Sequence, residues 1–63
     1  MNNRLKQLRS DRGWTQADLA ERAGVSRQTI LAIEKDKFDP SLPLAFRLAK
    51  LFEATIEEVF LDQ

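Results

Sequence analysis

Side chains suited to reading DNA base pairs are concentrated between residues 27 and 32 of this 63-residue chain. If the segment is helical and buries Ile30 and Ile33, its other face carries a polar stripe beside a small apolar one. The outward residues are Arg27, Gln28, Leu31 and Ala32. Arginine pairs with guanine and glutamine with adenine through two hydrogen bonds each, and apolar side chains contact the thymine methyl group. The pattern therefore predicts a face that reads bases in the major groove. The alternative is a solvated surface, with Leu31 packed on a neighbouring element.

A second set of side chains is suited to contacting phosphates beside those bases. Gln16 opens the predicted helix before the reading segment, where free N–H groups and the positive end of the helix dipole attract anions. Lys35 and Lys37 follow the reading segment. The predicted backbone contacts are Arg12, Gln16, Ser26, Thr29, Lys35 and Lys37. The alternative for each is a solvated surface residue, and Ser26 is first of all a helix cap.

Enzyme chemistry is poorly supported by the composition. The chain has no cysteine and no histidine, which removes disulfides, thiolate metal sites, imidazole ligands and the commonest general base. Hydroxyls and scattered carboxylates form no recognisable pair, and no glycine-rich phosphate loop exists. We therefore expect no catalytic residue, metal, cofactor or small-molecule ligand.

Five short helices are predicted to position these residues, and no segment alternates like a strand. The first runs from about residue 3 to 12, with Leu5 and Leu8 inward, and ends at Gly13. Thr15 and Asp18 form an approximate capping box for the second, which stops at Gly24. Its inward residues are predicted to be Ala17, Leu19, Ala20 and Ala23.

The other three helices also begin at recognisable caps. Ser26 caps the third, which ends near Lys35 and is followed by a polar loop over residues 36–40. Ser41 caps the fourth, in which Pro43 sits in the first turn. A capping box begins the fifth, where Glu58 follows three residues after Thr55.

The block from residue 15 to 34 resembles the phage-repressor and Cro-like (Xre-type) family of helix-turn-helix regulators. The resemblance rests on the joint spacing of Gln16, Ala20, Gly24, Val25 and Ile30, and it extends over nearly the whole chain. A small residue at 20 lets the two helices cross closely, and glycine at 24 permits positive φ in the turn. The resemblance implies an all-α, five-helix lambda-repressor-like fold in a single domain, residues 1–63, with the helix-turn-helix in helices 2 and 3.

The same resemblance implies roles for residues outside the reading face. Arg9 and Glu34 are expected to form a structural ion pair between the first and third helices. The amide of Gln16 is expected to brace Gln28, and the main-chain amides of the loop after the third helix are expected to follow the DNA backbone.

Two positions depart from the family pattern. Asp36 stands where a glycine is usual in that loop, and Glu53 stands where a glycine often ends the fourth helix. Aspartate tolerates the left-handed region fairly well and glutamate less so. Asp36 therefore affects the path of the loop, and Glu53 affects the end of the fourth helix.

Charge is balanced overall but unevenly distributed. The net charge is zero, whereas many nucleic-acid-binding domains are strongly basic. Residues 1–30 carry six basic and three acidic side chains (+3), and residues 31–63 carry four basic and seven acidic (−3). One end is therefore suited to face phosphate while the other repels it.

The fourth helix is more apolar than a monomer's core requires, since its apolar residues cover an arc of about 220°. Phe46 and Leu51 at the edges of that arc, with Leu61, are predicted to form a patch for a two-fold homodimer. The alternative is that a very small domain exposes some apolar edge. A dimer is favoured because two half-sites about 34 Å apart specify DNA better than one.

The sequence thus predicts a sequence-specific, double-stranded-DNA-binding transcriptional regulator, acting as a repressor on a pseudo-palindromic operator. No apolar stretch approaches the roughly 20 residues of a membrane span, so a cytoplasmic location is expected. Two alternatives remain: the antitoxin of a toxin–antitoxin pair, and a protein-interaction module that keeps the fold without binding DNA.

Overall fold

The computed structural model describes residues 3–60, in which five α-helices and no β-strand are found. The helices are α1 (Leu5–Asp11), α2 (Gln16–Ala23), α3 (Arg27–Glu34), α4 (Leu42–Leu51) and α5 (Ile56–Phe60). Within that range, no helix is long and apolar enough to cross a membrane. The number and order of the helices confirm the predicted all-α fold.

Side-chain caps begin four of the helices where the sequence predicts them. In α2, the Asp18 amide donates to Thr15 Oγ1 at 3.0 Å and the Thr15 amide donates to Asp18 Oδ2 at 2.9 Å. The same reciprocal pair forms before α5, between Thr55 and Glu58, at 2.7 and 3.1 Å. Ser26 and Ser41 each accept a hydrogen bond from a main-chain amide three residues on. These bonds satisfy amides that the first turn of a helix leaves without a partner.

The first helix begins later than predicted, at Leu5 rather than near Asn3. Asn3 Oδ1 accepts a hydrogen bond from the Leu5 amide at 3.0 Å, and Asn3 Nδ2 donates to the main-chain oxygen of Ile33 at 2.9 Å. Asn3 therefore ties the start of α1 to the end of α3. The Arg4 amide adds a tie to α5 by donating to the main-chain oxygen of Val59 at 2.8 Å.

The left-handed backbone conformation occurs at four positions among residues 3–60. Gly24 has φ 73° in the turn between α2 and α3, as predicted, and Gly13 has φ 71° after α1. Asp36 (φ 63°) and Glu53 (φ 53°) adopt the same region. The loop after α3 and the end of α4 thus keep the conformation that glycine would favour, at an energetic cost that is larger for glutamate.

Apolar side chains from all five helices form the core. The most deeply buried large ones are Leu5, Leu19, Ile30, Ile33, Leu48 and Val59. Ala20 and Ala23, 4% and 1% exposed, lie on α2, the helix packed against α3. Ala17 was expected inside but is exposed, because it lies on the outer side of the first turn of α2. The close contact of α2 with α3 fixes the orientation of α3.

Candidate nucleic-acid interface

The turn between α2 and α3 is held from inside the molecule. The Val25 amide donates to the main-chain oxygen of Ala20 at 3.0 Å, and the Val25 side chain packs against the core. Arg47 reaches across from α4, where its Nη1 donates to the main-chain oxygen of Ala23 at 2.7 Å. A cation at the end of a helix satisfies carbonyls that lack intrahelical partners and complements the helix dipole. Arg47 therefore helps to set the geometry of the turn.

The outer face of α3 carries the predicted base-reading residues. Ile30 and Ile33, 0% and 1% exposed, hold the opposite face in the core. Arg27 and Gln28 are exposed, and within residues 3–60 the structure shows no hydrogen bond or ion pair for either side chain. Leu31 and Ala32 are half-buried. The face thus presents two free polar side chains beside a small apolar surface.

Ser26 and Thr29 are engaged with each other at the start of α3. The Thr29 amide donates to Ser26 Oγ at 3.1 Å, and the two hydroxyl oxygens lie 3.0 Å apart. This arrangement is the helix cap that the sequence predicts for Ser26. Phosphate contacts by these two residues stay a prediction.

A partly buried ionic network lies behind the reading face. Arg9 Nε donates to Glu34 Oε2 at 2.7 Å and Arg9 Nη2 donates to Oε1 at 3.2 Å, while Arg9 Nη1 donates to the main-chain oxygen of Trp14 at 2.9 Å. The side chains of Arg9 and Glu34 are 12% and 4% exposed. The ion pair implied by the family resemblance is present. It joins α1, α3 and the segment that leads into α2.

Gln16 belongs to the same network, which corrects its implied contact with Gln28. Gln16 Nε2 donates to Glu34 Oε1 at 3.2 Å. A carboxylate is a stronger acceptor than a neutral amide, so Glu34 takes this donor and Gln28 stays exposed. The side chain of Gln16 therefore fixes the start of α2 to the end of α3.

Arg12 lies in an aromatic cluster that the sequence did not reveal. Its guanidinium carbon is 5.5 Å from the centre of the Trp14 ring and 5.6 Å from that of Phe52, and the two rings are 5.3 Å apart. Arg22 covers the Trp14 ring at 4.3 Å. Cation–π contacts of this kind hold guanidinium groups in place. A phosphate contact by Arg12 stays a prediction.

The loop after α3 carries two exposed lysines, Lys35 and Lys37. The Asp36 amide donates to the main-chain oxygen of Ile33 at 3.0 Å, and the Lys37 amide donates to that of Ala32 at 2.9 Å. Because these two amides already have partners, the implied main-chain contacts with DNA cannot come from them. The lysine side chains remain available for phosphate.

The predicted dimer patch is only partly in place. Phe46 is 57% exposed, whereas Leu51 is half-buried and packs against the core. Leu61 lies outside the described residues. Phe46 lines a largely apolar groove of about 590 Å³ between α4 and α5. The other lining residues are Ala49, Lys50, Ala54, Thr55, Ile56 and Glu57.

Comparisons with known proteins agree with this geometry. The family model described as helix-turn-helix matches residues 5–59. An uncharacterized HTH-type transcriptional regulator of Methanocaldococcus jannaschii is 57% identical over 61 residues, which are 97% of this chain and 92% of that protein. Two solved structures are also similar. One is the restriction-modification controller protein C.AhdI from Aeromonas hydrophila, with 30% identity, a TM-score of 0.82 and coverage of 90% of this chain and 86% of that one. The other is SinR of Bacillus subtilis, a master regulator for biofilm formation, in complex with DNA, with 27% identity, a TM-score of 0.77 and coverage of 86% and 87%.

Proposed function

Since this chain belongs to the helix-turn-helix family of transcriptional regulators, we propose that it binds double-stranded DNA with α3 in the major groove. The observation that carries the proposal is the outer face of α3. Arg27 and Gln28 are exposed and free of protein partners there, on a helix whose other face is fully buried. Side chains of these two types recognise guanine and adenine edges, each good pair being worth about 1–3 kcal/mol of discrimination.

Rigid support makes such recognition effective. The network of Arg9, Gln16 and Glu34 fixes α3 to α1 and to the start of α2, and Arg47 fixes the end of α2. A reading helix held in this way loses little conformational freedom on binding. Lys35 and Lys37 contribute phosphate contacts that set the register of the helix on the duplex.

We further propose that two copies bind a pseudo-palindromic operator as a homodimer. The Cα atoms of the described residues extend over 26 × 22 × 19 Å, which is compatible with two copies side by side on half-sites about 34 Å apart. The groove between α4 and α5 offers an apolar surface around Phe46 and Ile56, bordered by Lys50 and Glu57. In a two-fold dimer, a lysine of one copy can pair with a glutamate of the other.

Occupying an operator blocks other proteins from the same DNA, so the proposed regulatory effect is repression. Because the ligand is chromosomal DNA, the proposed site of action is the cytoplasm.

A salt-dependent titration tests DNA binding. Fluorescence anisotropy of labelled mixed genomic duplexes is expected to show binding that weakens between 50 and 200 mM salt. The expected slope of log affinity against log salt is roughly −4 for a dimer, since each neutralised phosphate contributes about −0.9 and each copy supplies two lysines. No salt-sensitive binding at micromolar concentrations of a protein with a helical circular-dichroism spectrum would overturn the proposal.

A further inference from the structure

Phe38 is an exposed aromatic residue that the roles described so far do not use. It is 48% exposed, and it is one of three large apolar residues with such exposure among residues 3–60, beside Leu42 and Phe46. A solvated phenylalanine is unfavourable by itself. Its position in the loop after α3 places it next to the proposed DNA-reading face.

A shallow recess of about 340 Å³ lies between Phe38 and the outer face of α3. Its lining residues are Ser26, Gln28, Thr29, Ala32 and Phe38. The oxygens of Ser26 and Thr29 in it lie 3.0 Å apart, so one hydroxyl donates to the other, and Ser26 Oγ also accepts from the Thr29 amide. Beside these hydroxyls, the recess offers a ligand the methyl group of Ala32, the aromatic ring and the free amide of Gln28.

The backbone holds Phe38 close to α3. The two residues before it, Asp36 and Lys37, fold back by donating main-chain hydrogen bonds to the last turn of α3 at 3.0 and 2.9 Å. The left-handed conformation of Asp36 makes this reversal possible. The recess is therefore built into the fold, and the exposed Lys37 directly precedes Phe38 in the chain.

We infer that the recess between Ala32 and Phe38 receives the 5-methyl group of a thymine, which makes Phe38 a specificity-determining residue. In the major groove, thymine differs from the other natural bases by this methyl group, and apolar side chains such as alanine and phenylalanine recognise it. Gln28, on the same recess, pairs with adenine by the same principle. The recess and Gln28 together favour a step rich in A·T pairs. This inference rests on the proposed function.

The test uses the duplex that the full chain selects from random sequences. Each thymine is replaced in turn by deoxyuridine, which keeps the base pair and the 4-oxo group and removes only the methyl group. At one thymine per half-site, the wild-type protein is expected to bind the deoxyuridine duplex about fourfold more weakly. This factor corresponds to the free energy of burying one methyl group. In Phe38→Ala the difference between the two duplexes is expected to shrink, because only the methyl group of Ala32 still contacts the thymine methyl group. In Phe38→Leu more of the preference is expected to remain.

Leu42→Ala is the matched control. It shortens an apolar side chain that is 64% exposed and lines no part of the recess, so the fourfold preference is expected to persist. Two results would overturn the inference and leave the proposed function standing. One is equal binding of the thymine and deoxyuridine duplexes by the wild type, and the other is a preference that is unchanged in Phe38→Ala. If the wild type showed no salt-dependent DNA binding, both the inference and the proposed function would be wrong. If Phe38→Ala folds poorly, Phe38→Leu, which keeps an apolar side chain, decides: a preference as large as that of the wild type would overturn the role of Phe38.

Discussion

Arg27 and Glu34, the two charged residues of α3, differ in exposure and in their partners. Arg27, at the first position of α3, is exposed, and its side chain makes no hydrogen bond or ion pair within residues 3–60. Glu34, at the last position, is 4% exposed and accepts hydrogen bonds from Arg9 and Gln16. The free charge is available to a ligand, whereas the paired charge holds the helix in place.

The free charges of the reading face allow a direct comparison of base contacts with phosphate contacts. Arg27→Ala is expected to relax specificity at one base pair of the half-site, by about 1–3 kcal/mol, without changing the fold. Lys37→Ala removes the same unit charge from the neighbouring loop and is expected to weaken binding to all DNA sequences alike. The slope of log affinity against log salt is expected to fall in magnitude by about one for each copy bound. Selection on random duplexes and a salt series measure both effects. Equal loss on every sequence for Arg27→Ala would make it a phosphate contact.

The paired charges predict a stability effect. Arg9→Met leaves the buried carboxylate of Glu34 without its cation and is expected to cost about 3–5 kcal/mol of unfolding free energy. Replacing both Arg9 and Glu34 by methionine removes the uncompensated charge and is expected to restore most of that loss. Urea unfolding followed by circular dichroism measures the free energies. A double variant no more stable than Arg9→Met would show that burial of the carboxylate is not the cause.

For single residues, the sequence predicts which side chains are exposed better than it predicts which residues they contact. The outward placement of Arg27 and Gln28 followed from burying Ile30 and Ile33, because helical periodicity fixes both faces at once. The contact of Arg47 with Ala23 spans 24 positions of the chain, and no local pattern indicates it. The family resemblance implies the wrong partner for Gln16, because only the fold shows that the Glu34 carboxylate lies within reach of the Gln16 amide.

Helix ends follow local chemistry in most of the chain. The two capping boxes and the serine caps were predicted because donor and acceptor are three residues apart. The sequence does not predict the start of α1 correctly, because the Asn3 side chain also donates to a carbonyl 30 residues away. Element bounds were therefore predictable where the cap is local and not where a tertiary contact supplies it.

The capping box of α2 predicts a pH dependence. The main-chain amide of Thr15, followed by its hydroxyl group and then by the charge of Arg22, holds the pKa of Asp18 below its ordinary value of 3.8. A lowered pKa means that the carboxylate stabilises the fold above about pH 4, and this contribution is lost as pH falls through the lower folded value. The stability difference between wild type and Asp18→Asn is therefore expected to shrink as the pH falls below about 4. Urea unfolding at several pH values measures it, and a constant difference would contradict the assignment.

The left-handed end of α4 predicts a stabilising substitution. Glu53 has φ 53°, a conformation that costs a residue with a side chain roughly 1–2 kcal/mol. Glu53→Gly removes that strain but adds freedom to the unfolded chain, so a net gain of up to about 1 kcal/mol is expected. Glu21→Gly, at an exposed position inside α2 and outside the groove, is the control and is expected to destabilise by about 0.5–1 kcal/mol. Thermal unfolding compares the two, and a loss of stability in both would rule out strain at Glu53.

The proposed DNA-reading surface and the proposed dimer surface lie on different helices. The reading face belongs to α3 and the following loop, whereas the apolar groove lies between α4 and α5. The unequal charge of the two halves of the chain does not divide along these surfaces. Lys35 and Lys37, beside the reading face, belong to the acidic half, and the groove is lined by one basic and one acidic side chain, Lys50 and Glu57.

The groove predicts how the protein assembles. Phe46→Glu places a charge on an exposed position of the groove, so the fold is expected to survive and the proposed dimer to dissociate. Leu42→Glu, 64% exposed and outside the groove, is expected to leave the dimer intact. Sedimentation equilibrium measures the molecular weights. An unchanged dimer in Phe46→Glu would place the interface on another surface.

Within residues 3–60, the side chains of Arg27 and Gln28 make no hydrogen bond or ion pair, and this has a consequence for the evolution of the protein. The core depends on Ile30 and Ile33, and the support of α3 depends on Glu34, so most exchanges at positions 27 and 28 leave folding untouched. After a gene duplication, one copy can acquire a new operator by one or two codon changes while keeping its stability. Changes at Ala20, Gly24 or Glu34 do not share this freedom. Divergence among descendants of this chain is therefore expected to appear first in the sequence of the operator and only later in the architecture of the domain.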